Sequence, residues 1–303
     1  MNATTTDLFE EDLDLPDPIA QRRYASLVGL DHIKTRLEKE AELILQPTLL
    51  EDWSVRAHGK VLPAVDWVAG RPPLIIFAGD VGTGKTTLAE TFADAIARRH
   101  GIDIQVKRLS LRARGSGAVG EITRLIGDAF DQVIRQARAA GLRRPVVLVI
   151  DEADAVAQSR EAAQMHHEDR AGVNALIRGV SQIASERLGI LVIMCTNRAE
   201  ALDPAIRRRA AAEFEFTRPD DAQRAAVLTA IFDGVGLTNW QVDQLVHLTG
   251  SNGRGYGYTY SDLVDRILAA ACLAAYPDRP ITAALIAEQI HANPPTRPFN
   301  GHR

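Results

Sequence analysis

The sequence predicts an α/β domain built on a parallel sheet, followed by a smaller all-helical domain. Three observations lead there. Apolar runs alternate with helical spacings between residues 74 and 216, the pattern of parallel strands joined by crossover helices. The runs VVLVI and ILVIM are apolar at every position, as strands buried on both faces require. Beyond Pro219 only helical spacing remains. A chain of 303 residues is long enough for both domains.

Taken in order, residues 1–23 carry Asp7, Glu10, Glu11, Asp12, Asp14 and Asp17 with Pro16 and Pro18, a composition that predicts a disordered acidic tail. The large domain is expected over 24–218. It opens with a helix in which Ile33, Leu37, Ala41, Ile44 and Leu45 share a face, stopped at Pro47. Residues 50–72, with Trp53, Gly59, Trp67, Gly70 and prolines, are expected to be a long irregular connection. A strand beginning at Leu74 ends in a glycine-rich turn, and Leu88, Phe92 and Ile96 mark the helix after it. Strands at 104–109, 146–150 and 190–194 alternate with helices at 122–137 and 173–183, and a short strand at 214–216 closes the domain. Helices at 222–232, 240–248, 261–276 and 282–292 form a lid domain over 219–292, with a flexible tail expected over 293–303.

Bulk properties narrow the function. The composition is globular, 46% hydrophobic and 24% charged, and the net charge of −4 provides no general basic field for nucleic acid. The two cysteines, Cys195 and Cys272, lack metal-ligand spacing. Apolar runs fall short of a membrane span, and acidic residues stand where a secretory signal is basic and then apolar. A reduced, cytoplasmic protein is expected.

The chemistry begins at Gly79-x-x-x-x-Gly84-Lys85-Thr86, a phosphate-binding loop in which backbone N–H groups cradle phosphate, lysine reaches the terminal phosphates and threonine holds Mg²⁺. Val81, Gly82, Thr83 and Thr87 complete the stretch, so bound ATP and Mg²⁺ are expected. Asp151 ends the strand VVLVI, where an aspartate can hold Mg²⁺, and the adjacent Glu152 can polarise an attacking water. Asn197 at the tip of ILVIMC offers a neutral amide beside the γ-phosphate. Arg207, Arg208 and Arg209 follow on one short helix, and a guanidinium stabilises charge that builds on a transferring phosphoryl group.

Together the stretches YASLVGLDHIKTRL, GDVGTGKT, VVLVIDEAD, MCTN and ALDPAIRRR resemble the AAA+ ATPases. The resemblance implies a five-stranded parallel sheet of order 5-1-4-3-2, a helical lid, and homohexameric rings with nucleotide between subunits. It implies that Val28 and Gly29 lie by the adenine and that Arg208 and Arg209 act on a neighbouring subunit's nucleotide, with Arg207 the weaker candidate. HEDRAGVNALIRGVSQI is similar to the pachytene-checkpoint remodellers that unfold HORMA-domain proteins. Their bacterial branch implies a HORMA-domain partner bound to a nucleotidyltransferase in anti-phage (CBASS) operons. The family's substrate-gripping pore loop falls on Arg114, Gly115, Ser116, Gly117, Ala118 and Val119, which lack the usual aromatic. Only some 23 residues precede the Tyr24 motif, so recruitment of substrate is expected to fall to the ring, the tail or another protein. An AAA+ loader or transposition ATPase acting on DNA, and a nucleotide-dependent scaffold, are the alternatives. Which of Arg254 and Arg266 reaches nucleotide is left open.

Overall fold

The computed structural model describes residues 8–111, 120–155, 167–198, 200 and 202–299. The chain divides into two compact units: Met1–Tyr24, His32–Ala78 and Thr86–Glu215 form the first, and Ala25–Asp31, Gly79–Lys85 and Phe216–Arg303 form the second. Through the first unit the elements run β1 (Glu11–Leu15), α1 (Pro18–Ser26), α2 (Asp31–Leu45), α3 (Thr48–His58), α4 (Pro63–Ala69), β2 (Leu74–Gly79), α5 (Lys85–Thr91), α6 (Ala93–His100), β3 (Ile104–Ser110), α7 (Glu121–Ala140), β4 (Val146–Asp151), α8 (His167–Glu186), β5 (Ile190–Thr196), α9 (Pro204–Arg207) and β6 (Ala212–Phe216).

The six strands form one sheet in the order β1-β3-β4-β5-β2-β6. Without β1 this is the expected order 5-1-4-3-2, and β2–β5, β3–β4 and β4–β5 pair in parallel. Every residue from Leu74 to Ala78 and from Ile190 to Thr196 is buried, so both faces of the central strands are covered. One face packs against Ile126, Phe130 and Val133 of α7 and Leu176, Val180 and Ile183 of α8. The register places Ser110 opposite Asp151 and Ala78 opposite Thr196, so the chemistry-bearing residues gather at the carboxyl ends of the strands, where open α/β sheets take ligands.

The expected disordered tail is corrected from residue 8 onward. β1 adds to the sheet antiparallel to β3, with Glu11 opposite Arg108 and Leu15 opposite Ile104. The acidic residues that suggested disorder have basic partners. Asp12 pairs with Lys107, Asp14 with Arg144, and Glu10 and Glu11 approach Arg108 at 3.4 and 3.6 Å. The connection expected to be irregular also forms two helices, α3 and α4. Gly59, left-handed at φ 71, ends α3, and Pro63 stands in the first turn of α4, so the residues read as breakers punctuate helices instead. The Ser54 hydroxyl clasps the turn, donating to the Lys60 carbonyl at 3.0 Å and accepting from Leu62 N–H at 2.9 Å.

In the second unit α10 (Asp221–Ile231), α11 (Asn239–Thr249), a π-helical turn Asp262–Ile267 leading into α12 (Leu268–Ala275), and α13 (Ala283–Ala292) match the four expected lid helices. Asp220 with Gln223 and Thr238 with Gln241 form capping boxes that set the starts of α10 and α11. Leu228, Leu245, Leu263 and Ile286 are buried. Residues 293–299, part of the tail expected to be flexible, make contacts: Asn293 O accepts the Tyr258 hydroxyl at 2.9 Å and Thr296 binds Asp262. No helix among the described residues is long and apolar enough to cross a membrane.

Candidate functional site

β2 runs into the phosphate loop, and Lys85 opens α5. The loop backbone favours glycine, as two of its positions show. Gly79 has φ +148, and a Cβ there would stand 2.0 Å from the Phe216 carbonyl oxygen. Gly82 has φ +72, and a Cβ there would stand 2.8 Å from Thr259 Oγ1. Lys85 Nζ donates to the Gly79 and Asp80 carbonyls at 3.0 and 2.6 Å, and Thr83 Oγ1 donates to the Asp80 carbonyl at 2.7 Å. Phosphate oxygens are the natural replacement for those carbonyls as lysine's acceptors. Val81, in contrast, is exposed.

Val28 and Gly29 sit in a segment that runs along this loop. A Cβ on Gly84 would meet Leu27 and Leu30 at 3.2 and 3.5 Å, and Gln223 Nε2 donates to the Gly29 carbonyl at 2.8 Å. The buried Tyr260 phenol lies beside Gly29, and burial, then Asp220 and Asp31, push its pKa up to about 12. Apolar Leu27 and Leu30 with polar Gln223 suit one wall of a nucleobase pocket.

Within the first unit, Thr86 Oγ1 donates to Asp151 Oδ2 at 3.1 Å. The two expected Mg²⁺ ligands therefore converge, and a hydroxyl with a carboxylate is a donor set suited to a hard cation. Glu152, next along, has φ 52, a left-handed backbone unusual for a residue with a side chain, and its N–H donates to Asp151 Oδ1 at 2.9 Å. That strain, about 1 kcal/mol or more, turns the chain sharply off the strand end at the residue expected to activate water. Thr87 continues α5 beyond Thr86. Asn197 follows the tip of β5, where Thr196 Oγ1 accepts the Arg198 N–H at 3.0 Å and sets the turn.

The three arginines separate clearly. Asp203 caps α9 by accepting Ala205 N–H at 2.7 Å. Arg207 forks onto Glu213 at 2.6 and 3.2 Å, a hydrogen-bonded pair that raises its pKa. Arg209 donates to the Ala205 carbonyl at 3.2 Å. Arg208 is exposed and has no side-chain partner among the described residues. Arg114, Gly115, Ser116, Gly117, Ala118 and Val119 lie outside the described residues.

Sequence reasoning missed Asp80, Arg218, Asp262 and Thr296. Arg218 Nε donates to Asp80 Oδ2 at 2.7 Å, and Ser261 N–H donates to the Gly82 carbonyl at 3.0 Å. Asp80 stands inside the loop motif at a position the pattern leaves open, so only geometry assigns it a partner. Of the two arginines left open, Arg254 donates to the Gly250 carbonyl at 3.0 Å and Arg266 to Asp262 Oδ1 at 2.8 Å.

The family model described as "ATPase family associated with various cellular activities (AAA)" matches residues 75–218. The chain is 47% identical over 299 residues to CD-NTase-associated protein 6 of Escherichia coli (strain MS 115-1), spanning 97% of this chain and 96% of that protein. The chain belongs to the AAA ATPase family. A chain of the solved E. coli MS115-1 HORMA:CdnC:Trip13 complex is similar to this AAA ATPase at TM-score 0.87 and 48% identity, over 96% of this chain and 97% of that one. Rhizobiales Trip13 is similar at TM-score 0.75 and 41% identity, over 96% and 100%. This AAA ATPase therefore binds nucleotide and hydrolyses ATP.

Proposed function

We propose that this AAA ATPase works as a homohexamer that hydrolyses ATP with Mg²⁺ and partially unfolds a HORMA-domain protein. The unfolding separates the HORMA protein from a cyclic-oligonucleotide synthase and restrains anti-phage signalling. The observation that carries the reading is the likeness, over nearly the whole chain at 48% identity, to a chain of a complex that also contains HORMA and CdnC.

The residues divide the reaction between them. The phosphate loop from Gly79 to Lys85 and the Val28–Gly29 segment bind ATP, and Thr86 and Asp151 hold Mg²⁺, which when bound offsets charge on the phosphate oxygens. Glu152 accepts the proton of the attacking water, and Asn197 orients that water without adding charge. Arg208, which has no side-chain partner among the described residues, reaches the nucleotide of the neighbouring subunit, with Arg209 beside it. The stretch from Arg114 to Val119 grips the substrate.

The test is a preformed complex of a HORMA-domain protein with its nucleotidyltransferase, incubated with this ATPase and followed by size-exclusion chromatography. Separation with ATP, and none with a non-hydrolysable analogue, is the expected result. A complex that stays intact while ATP is being turned over contradicts the reading.

A further inference from the structure

Residues 294–299 return to the phosphate loop. The Tyr258 hydroxyl donates to the carbonyls of Ile290 and Asn293 at 2.6 and 2.9 Å and so fixes where α13 stops. Thr296 then donates its hydroxyl to Asp262 Oδ1 at 2.6 Å and its N–H to Oδ2 at 3.0 Å. Arg266 reaches the same carboxylate at 2.8 Å and the Pro294 carbonyl at 3.2 Å. Three residues further on, Phe299 N–H donates to Asp80 Oδ1 at 3.2 Å.

Both attachment points act on the loop. Asp262 accepts Thr259 N–H at 3.0 Å, which shapes the turn whose Ser261 N–H binds the Gly82 carbonyl at 3.0 Å. Asp80 lies within the loop itself. Its carboxylate accepts Val81 N–H at 2.8 Å and Arg218 Nε at 2.7 Å, while its carbonyl accepts Lys85 Nζ at 2.6 Å. Arg218 also donates to the Gly257 carbonyl at 2.6 Å, adding a third tether from the same unit.

We propose that residues 294–299 form a strap that holds the phosphate loop in its nucleotide-accepting shape, with Asp80, Arg218, Asp262 and Thr296 as positioning residues for ATP binding. A glycine-rich loop loses more conformational freedom on ordering than other backbone does. A strap that orders it beforehand removes that cost from the binding step. The strap therefore governs affinity for ATP and the rate of nucleotide release. Asp151 and Glu152, which serve hydrolysis, take no part in these bonds, so turnover at saturating ATP is spared. None of this depends on the HORMA reading.

The test compares the full chain with a chain ending at Pro294 and with Thr296→Ala and Thr296→Ser. The measurements are ATP KM and kcat, and release of a fluorescent ADP. Truncation is expected to raise KM and speed ADP release about five- to tenfold, with kcat held within about twofold, the scale of one or two lost hydrogen bonds. Thr296→Ala shows a smaller rise of the same kind, and Thr296→Ser restores the wild-type values. A truncated chain with unchanged KM and release rate overturns the proposal, as does a loss confined to kcat. If the truncated chain does not fold, the Thr296 pair decides: equal KM in the Ala and Ser variants overturns the strap, and rescue by Ser supports it.

Discussion

Thr86 and Asp151 meet at 3.1 Å and the neighbouring Glu152 has a left-handed backbone, so the proposed roles in holding Mg²⁺ and in activating water fall on different side chains. Glu152→Gln is expected to lower steady-state phosphate release by about 10²- to 10⁴-fold, the usual contribution of a general base, while a fluorescent ATP analogue binds within a few-fold of wild type. Wild-type turnover from that variant removes the assignment. The arginines give a sharper contrast. Arg208→Ala is expected to cost about 10³-fold in turnover or more, as removal of an arginine finger does. Arg207→Ala loses only an exposed ion pair, worth less than about 1 kcal/mol by urea unfolding, and keeps its activity. The run Arg207-Arg208-Arg209 suggested a charge-stabilising group from the sequence. Which members are held within the chain did not show there, because that depends on Glu213 and on the Ala205 carbonyl, and spacing does not show where either points.

Continuous apolar text made the central strands and the four lid helices legible in the sequence, because burial on both faces or on one helical stripe leaves a periodic record. β1 left a misleading record. Its carboxylates read as a solvated tail because Lys107, the partner of Asp12, is 95 residues away in sequence. Lys107 is only 1% exposed, so removing Asp12 leaves a buried ammonium without its counter-charge. Asp12→Ala is expected to destabilise the protein by about 2 kcal/mol in urea unfolding, less than for a fully buried pair because Asp12 itself is part-exposed. The segment ending in α13 carries a pH signature. Burial pushes the Asp262 carboxyl up, but Thr259, Thr296 and Arg266 outweigh burial and hold it below the ordinary carboxylate value. A lowered folded-state pKa stabilises the protein above the unfolded carboxylate value near about pH 4, and the contribution is lost as pH falls through the folded value. Asp262→Asn is therefore expected to flatten the acid limb of thermal stability; an acid limb unchanged in slope counts against this account.

Across the whole molecule, the resemblance implied the 5-1-4-3-2 order that the sheet adopts, whereas the grouping of residues into units left no mark in the sequence. The phosphate loop Gly79–Lys85 and the stretch Ala25–Asp31 group with the lid, while Thr86, Asp151, Glu152 and Asn197 group with the sheet. A linear sequence records which residues are consecutive, and Phe216, Thr259 and Phe299 reach the loop from far along the chain. Arg208 is exposed and has no side-chain partner among the described residues, and its proposed role is on the nucleotide of another copy. Subunit mixing tests this most directly. Arg208→Ala and Glu152→Gln proteins, each inactive alone, are mixed one to one under exchange conditions and phosphate release is measured. In a random ring about a quarter of the interfaces regain an intact glutamate facing an intact arginine, so turnover is expected to recover to roughly that fraction of wild type. Turnover that stays at the level of the separate variants, with exchange of subunits demonstrated, contradicts a shared centre.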